Sequence, residues 1–177
     1  MPATGRPNVM GFSPATFAPH RTSSRIEFVA MLARALGLEP NPGAASRFQD
    51  LSPAWEGVAG AAVEAGIVQG VTASRFEPNR QLTRLELAAM IGRALKEHGY
   101  EMPSQPAATL NRFKDGGSVP AWAREAVAIA LDAGVLRGVN QNELALNRTA
   151  TRAETATIVT RFLEAWLGTA AQDDGGQ

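Results

Sequence analysis

Three segments of the chain place residues at the spacing i, i+3, i+4, i+7 and i+8. They are Phe28, Met31, Leu32, Ala35 and Leu36; Leu87, Met90, Ile91, Ala94 and Leu95; and Thr155, Ile158, Val159, Phe162 and Leu163. That spacing gathers each set on one face of an α-helix. It predicts helices near 24–36, 83–96 and 151–167, packed side by side on their shared stripe. A second, alanine-rich helix is expected from about Trp55 and again from Trp122, stopping at Gly66 and Gly134. Glycine suits those stops because it accepts the left-handed conformation of a helix C-cap. The stretches from Gly70 to Leu82 and from Gly138 to Thr149 read as loops with short extended pieces. Residues 37–46 ("GLEPNPGAAS") and 96–111 ("KEHGYEMPSQPAATLN") read as linkers, and 168–177 ("GTAAQDDGGQ") as a disordered tail.

Each striped helix opens on the same phrase: "SSRIEFVAM", "LTRLELAAM" and "ATRAETATI". Ser24, Thr83 and Thr151 stand three residues before Glu27, Glu86 and Glu154, the pattern of a capping box. The hydroxyl accepts from the third backbone N–H, and the carboxylate reaches back to the cap N–H. Helix starting is thus a sufficient role for both residue types. It does not explain Arg25, Arg84 and Arg152, because a cation in the first turn opposes the helix dipole. Two solutions stay open. One is an internal carboxylate, with Asp50, Asp115 and the motif glutamate as candidates. The other is an external anion, held by the guanidinium and free N–H groups of the helix start.

The phrases belong to a longer repeat. "GFSPATFAPHRTSSRIE" (11–27), "GVTASRFEPNRQLTRLE" (70–86) and "GVNQNELALNRTATRAE" (138–154) align without a gap. Upstream, "RFQDLSPAWEGVAGAAVEAGIVQG" (47–70) matches "RFKDGGSVPAWAREAVAIALDAGVLRG" (112–138). The motif arginines lie 59 and 68 residues apart, which fits a two-helix unit with long connections.

Bulk properties narrow the field. The 177 residues suffice for a real core, and 45% hydrophobic with 19% charged residues is ordinary for a folded chain. Seventeen lysines and arginines balance seventeen acidic residues, so bulk charge points to neither nucleic acid nor an anionic membrane. With no cysteine there is no disulfide, thiolate metal site or cysteine nucleophile. No apolar run approaches the roughly 18 residues of a membrane span, and the N-terminal stretch "MPATGRPNVMGFSP" lacks the layout of a secretory signal. The two histidines, His20 and His98, have no acid–serine arrangement beside them in sequence. Glu64 and Asp132 fall at equivalent places on the alanine-rich helices, as a solvated face would. No phosphate-binding loop or metal-ligand spacing occurs, so an enzyme is not expected, nor any cofactor or metal.

The ordered set Phe48, Asp50, Trp55, Gly66, Gly70, Phe76, Pro78, Thr83, Arg84 and Glu86 resembles the S-layer homology domain. Phe113, Asp115, Trp122, Gly134, Gly138, Thr151, Arg152 and Glu154 form a second copy, and residues 11–36 look like the latter half of a third. The expected organisation is a flexible stretch 1–10, a partial repeat 11–36, repeats 47–96 and 112–167, and the tail. The resemblance implies an all-α, pseudo-threefold bundle of helical repeats. It implies an exported bacterial protein held on the cell wall by an acidic secondary polysaccharide, often pyruvylated, in grooves between copies. It also implies a larger parent chain or other S-layer subunits as partners, without membrane insertion. Carried over, the sugar-binding role falls to Arg25, Arg84 and Arg152. Trp55 and Trp122 are then groove candidates, with core anchoring as the alternative. Gly70 and Gly138 are candidates for close backbone approach, with a plain turn as the alternative. The loops "GVTASRF" and "GVNQNEL" lack the aspartate and second glycine of the family's Gly-Tyr-x-Asp-Gly-x-Phe, and the last copy has Leu144-Ala-Leu for Phe-x-Pro. Trp55 precedes its glycine by 11 residues and Trp122 by 12, which rotates one tryptophan against the other by about 100° unless the gap lies at the helix start. The competing reading is a helical protein–protein scaffold with internally paired arginines.

Overall fold

The computed structural model describes residues 18–173, with side chains described as far as Gly168. The expected flexible stretch 1–10, residues 11–17 of the expected partial repeat and residues 174–177 of the expected tail lie outside the described residues. Among the described residues there are six α-helices: α1 (Arg25–Ala35), α2 (Pro53–Glu64), α3 (Arg84–Glu97), α4 (Pro106–Asn111), α5 (Ala121–Asp132) and α6 (Arg152–Asp173). The fold is all-α. The three striped helices start where the capping boxes place them, and Ser24 and Thr83 close full boxes with Glu27 and Glu86. Around Thr151 the same reciprocal bonds form with Glu154, at 2.8 and 3.2 Å. The stripes face inward: Phe28, Leu32, Leu87, Ile91 and Phe162 are buried.

The three copies close into a ring through their first turns. Leu82 N–H donates to Ser23 O at 2.9 Å, Ala150 N–H to Leu82 O at 2.8 Å, and Ser23 N–H to Ala150 O at 3.1 Å. These residues occupy one repeat position, so the three bonds circle a pseudo-threefold axis. Isolated bridges pair Ser24 with Gln81, Thr83 with Thr149 and Thr151 with Thr22, again each copy with the next. The short extended pieces expected in the loops are these bridges.

Outside the ring, α1 packs on α2 and α3 on α5, while α6 touches both α1 and α3. A Cβ on Gly92 would lie 1.9 Å from Ala126 O, so glycine is what lets α3 and α5 approach so closely. Two segments expected as linkers are structured. Pro42–Ala45 forms a 3₁₀ turn against α2, and α4 packs on α5. Proline at the first turn of each starts these helices, because its missing N–H costs nothing there. The tail expected as disordered continues α6 through Asp173.

Candidate functional site

The motif arginine is the second residue of the Ser/Thr-Arg-x-Glu phrase and the first of its helix. Its backbone N–H bonds the neighbouring copy: Arg25 to Arg80 O at 2.9 Å, Arg84 to Arg148 O at 2.9 Å, and Arg152 to Arg21 O at 2.8 Å. The next N–H does likewise, Ile26 to Pro78 O and Leu85 to Leu146 O. The third is taken by the cap hydroxyl, Glu27 N–H to Ser24 Oγ and Glu86 N–H to Thr83 Oγ1. The donors at the helix start are therefore engaged within the protein, so of the two open solutions the external anion would not find free N–H groups there.

The guanidinium groups are buried as well. Arg25, Arg84 and Arg152 are only 6%, 4% and 4% exposed. Arg84 donates through Nε to Leu144 O at 2.9 Å and through Nη2 to Arg137 O at 2.8 Å. Arg25 makes the matching bonds to Phe76 O and Gln69 O. Each arginine also meets the motif glutamate of the neighbouring copy: Arg84 with Glu154 at 3.3 Å, Arg152 with Glu27 at 3.2 Å, and Arg25 with Glu86 at 3.9 Å. The motif glutamate therefore caps its own helix and anchors its neighbour's arginine.

The internal carboxylate is thus not Asp50 or Asp115. Asp50 accepts from Phe76 and Glu77 N–H, both at 2.8 Å. Asp115 accepts from Leu144 and Ala145 N–H at 2.9 and 2.8 Å. These bonds hold tight turns in which Glu77 and Ala145 take left-handed φ values of 57° and 51°. Partial burial pushes the Asp50 carboxyl up, but the Phe76 and Glu77 N–H groups outweigh it and hold its pKa below the ordinary value. Gly70 and Gly138 are explained by crowding. A Cβ on Gly70 would meet Phe48 and Thr72 O at 2.4 Å, and one on Gly138 would meet Asn140 O at 2.4 Å.

The two tryptophans part company. Helices α2 and α5 have the same length and end in the same register, so Trp122 aligns with exposed Ala54, and Trp55 with buried Ala123. Trp55 is partly buried against the core. Trp122 is 58% exposed, with the Arg93 guanidinium 5.8 Å from its ring centroid.

Trp122 and Arg93 stand at a groove of about 360 Å³ between α3, α5 and the 68–71 loop, also lined by Arg25, Gly70, Arg80 and Glu86. This groove brings together three of the sequence candidates, Arg25, Gly70 and Trp122. Two of its arginines, Arg80 and Arg93, are not among those candidates. The repeat carries a signal for them: arginine recurs four residues before the motif arginine (Arg21, Arg80, Arg148) and nine after it (Arg34, Arg93, Arg161).

The groove is electropositive. Arg80 also holds Glu86 directly and pairs with Glu77 at 3.3 Å. That leaves Glu86 shared between two cations, with Arg93 beside them. Burial, then the nearby charges of Arg80 and Arg93, push the Arg25 pKa down to about 10, and it stays charged at neutral pH. Burial alone lowers Arg93. Among the described residues no cluster of acidic or histidine side chains could hold a metal, and no helix is long and apolar enough to cross a membrane.

Comparison with known proteins agrees with this architecture. Residues 47–88 and 112–156 match the S-layer homology domain. The chain is 34% identical over 162 residues to a surface-layer 125 kDa protein of Lysinibacillus sphaericus, covering 88% of this chain and 13% of that protein. It is 32% identical over 160 residues to an endoglucanase of Bacillus sp. (strain KSM-635), covering 88% and 16%. With the S-layer protein sap of Bacillus anthracis it shares 29% over 154 residues, covering 86% and 18%. The chain belongs to the S-layer homology domain family. It spans under a fifth of the length of each of these three relatives.

Proposed function

We propose that the chain is a non-covalent anchoring module that binds an acidic secondary cell-wall polysaccharide at the bacterial surface. The observation that carries this is the groove of Arg25, Arg80, Arg93 and Trp122, where positive charge exceeds negative beside an exposed aromatic face. Carboxylates, including pyruvyl ketals, suit the guanidinium groups. The apolar face of a sugar ring suits the indole. Relatives named as a surface-layer protein and as an endoglucanase share this region, as a portable attachment unit within larger proteins would. On this reading the module has no catalytic role, and its partner beyond the polymer is a larger parent chain or other S-layer subunits.

A scaffold that binds protein and not sugar is the second reading, favoured by the internal pairing of Arg25, Arg84 and Arg152. Co-sedimentation with purified cell walls separates the two. Anchoring through the polymer predicts that the protein pellets with intact walls and stays in solution once the non-peptidoglycan polymer has been removed. Equal pelleting before and after removal, or none at all, refutes it.

A further inference from the structure

The cyclic register allows the clefts between copies to be compared position by position. In the first cleft Arg25, Arg80 and Arg93 face a wall formed by α5, which carries Trp122. The same positions in the second cleft are Arg84, Arg148 and Arg161. There α6 takes the place of α3, and among the described residues no helix covers it as α5 covers α3. Its sequence fits an open face. Where α3 has buried Ala89 and Gly92 against α5, α6 has exposed Thr157 and Thr160, whose hydroxyls donate back to Ala153 O and Ala156 O at 2.9 and 3.0 Å. In the third cleft the positions are Arg152, Arg21 and Arg34, and the wall is α2. The residue there in the register of Trp122 is Ala54, which offers no platform.

We propose that only the first cleft holds a ligand, so that each chain engages a single site on the wall polymer, walled by Trp122 and clamped by Arg93. The three clefts share their arginines and differ in their walls. Selection among them therefore falls to one aromatic residue, placed outward by the one-residue offset between Trp122 and Trp55. This inference rests on the polysaccharide reading and adds its stoichiometry and its selecting residues.

The test uses short fragments of the polysaccharide released from purified walls, titrated calorimetrically into the 177-residue chain. The expected result is one site per chain. Arg93→Ala and Trp122→Ala should each weaken binding by about tenfold to a hundredfold, the range for a lost charged or stacking contact. Arg34→Ala and Arg161→Ala, which alter the same repeat position in the other clefts, should leave it within about twofold. Trp122→Phe should keep most of the affinity while removing most of the ligand-induced change in tryptophan emission, since Trp55 and Trp166 lie partly buried elsewhere. Melting curves of all variants should stay close to the parent, because Trp122 and Arg34 are exposed and Arg93 and Arg161 are not fully buried. Two or three sites per chain, or equal losses at Arg34, Arg93 and Arg161, would overturn the single-cleft proposal while leaving wall binding intact. No binding of wall polymer by the parent chain would instead overturn the functional reading, and this proposal with it.

Discussion

Replacing Arg84 with alanine probes the seam between the second and third copies. The side chain is 4% exposed and makes two bonds to backbone carbonyls, at 2.9 and 2.8 Å, plus the contact with Glu154 at 3.3 Å. Truncation leaves Leu144 O and Arg137 O without that donor and removes one partner of a largely buried ion pair. Removing one partner of a buried, hydrogen-bonded ion pair costs about 3–5 kcal/mol in all, a figure that already includes the groups left unpaired. Glu154 keeps its contact with the exposed Arg148, which recovers at most about 1 kcal/mol. The expected loss is about 3–5 kcal/mol out of a total near 5–15 kcal/mol for a domain. At about 2–4 °C per kcal/mol for a chain of this size, Tm should fall by about 6–20 °C. Circular dichroism at 222 nm during heating, with urea titration for the free energy, measures this. Arg84→Lys should recover only part of the loss, since one ammonium cannot reach the carbonyls and carboxylate in the guanidinium geometry. A Tm within about 2 °C of the parent, which corresponds to less than 1 kcal/mol, would refute the view that the motif arginine fastens neighbouring copies.

Three further outcomes follow from the same geometry. Thr83→Ala should cost about 0.5–2 kcal/mol by thermal melting and leave wall-polymer affinity unchanged, since the hydroxyl bonds Glu86 N–H at 3.2 Å. Gly92→Ala should cost about 1–3 kcal/mol by urea titration, because the new methyl would lie 1.9 Å from Ala126 O and force α3 from α5. Asp50→Asn should lower Tm at neutral pH, by an amount equivalent to about 1 kcal/mol, since an amide can accept only one of the two N–H bonds. The Asp50 carboxyl has a folded pKa below its unfolded value of about 3.9, so its stabilisation is complete above that value and lost as pH falls through the folded one. The gap between Asp50→Asn and the parent should therefore shrink on acidification below about pH 4, and a gap constant down to pH 2 would contradict the account.

The helices were legible in sequence because their signals are local. The i, i+3, i+4 stripe, the capping pair and the terminal glycine each act within a few residues, and α1, α3 and α6 start where those signals place them. The short elements at Pro42–Ala45 and Pro106–Asn111 were hidden by proline, which reads as a linker residue but here opens a helical turn. The motif glutamate was among the carboxylates the sequence offered for the arginine, but the pairing between copies was not legible. Sequence spacing shows that each motif contains an arginine and a glutamate, but which copy's glutamate meets which arginine depends on how the ring closes. Asp50 and Asp115 were the other candidates, and the tight turns at Glu77 and Ala145 claim them through backbone donors. The tryptophan offset was legible as a rotation. Its direction needed the helix ends, which put Trp122 in the register of Ala54. Arg80 and Arg93 could have been found, since their counterparts recur in every copy, but repetition alone does not show which counterpart faces a groove.

The collar of Ser23, Leu82 and Ala150 bears on how the module carries load. Because the first two N–H groups of each striped helix bond a neighbouring copy, no copy is a link that can be peeled away singly. Detaching one breaks its seams with both others, including two of the three collar bonds. A pull on a tethered cargo is therefore shared around the ring like tension in a three-part lashing. The module should give way in one event, all three copies together, and a force trace should show a single rip where a string of independent repeats would show a sawtooth.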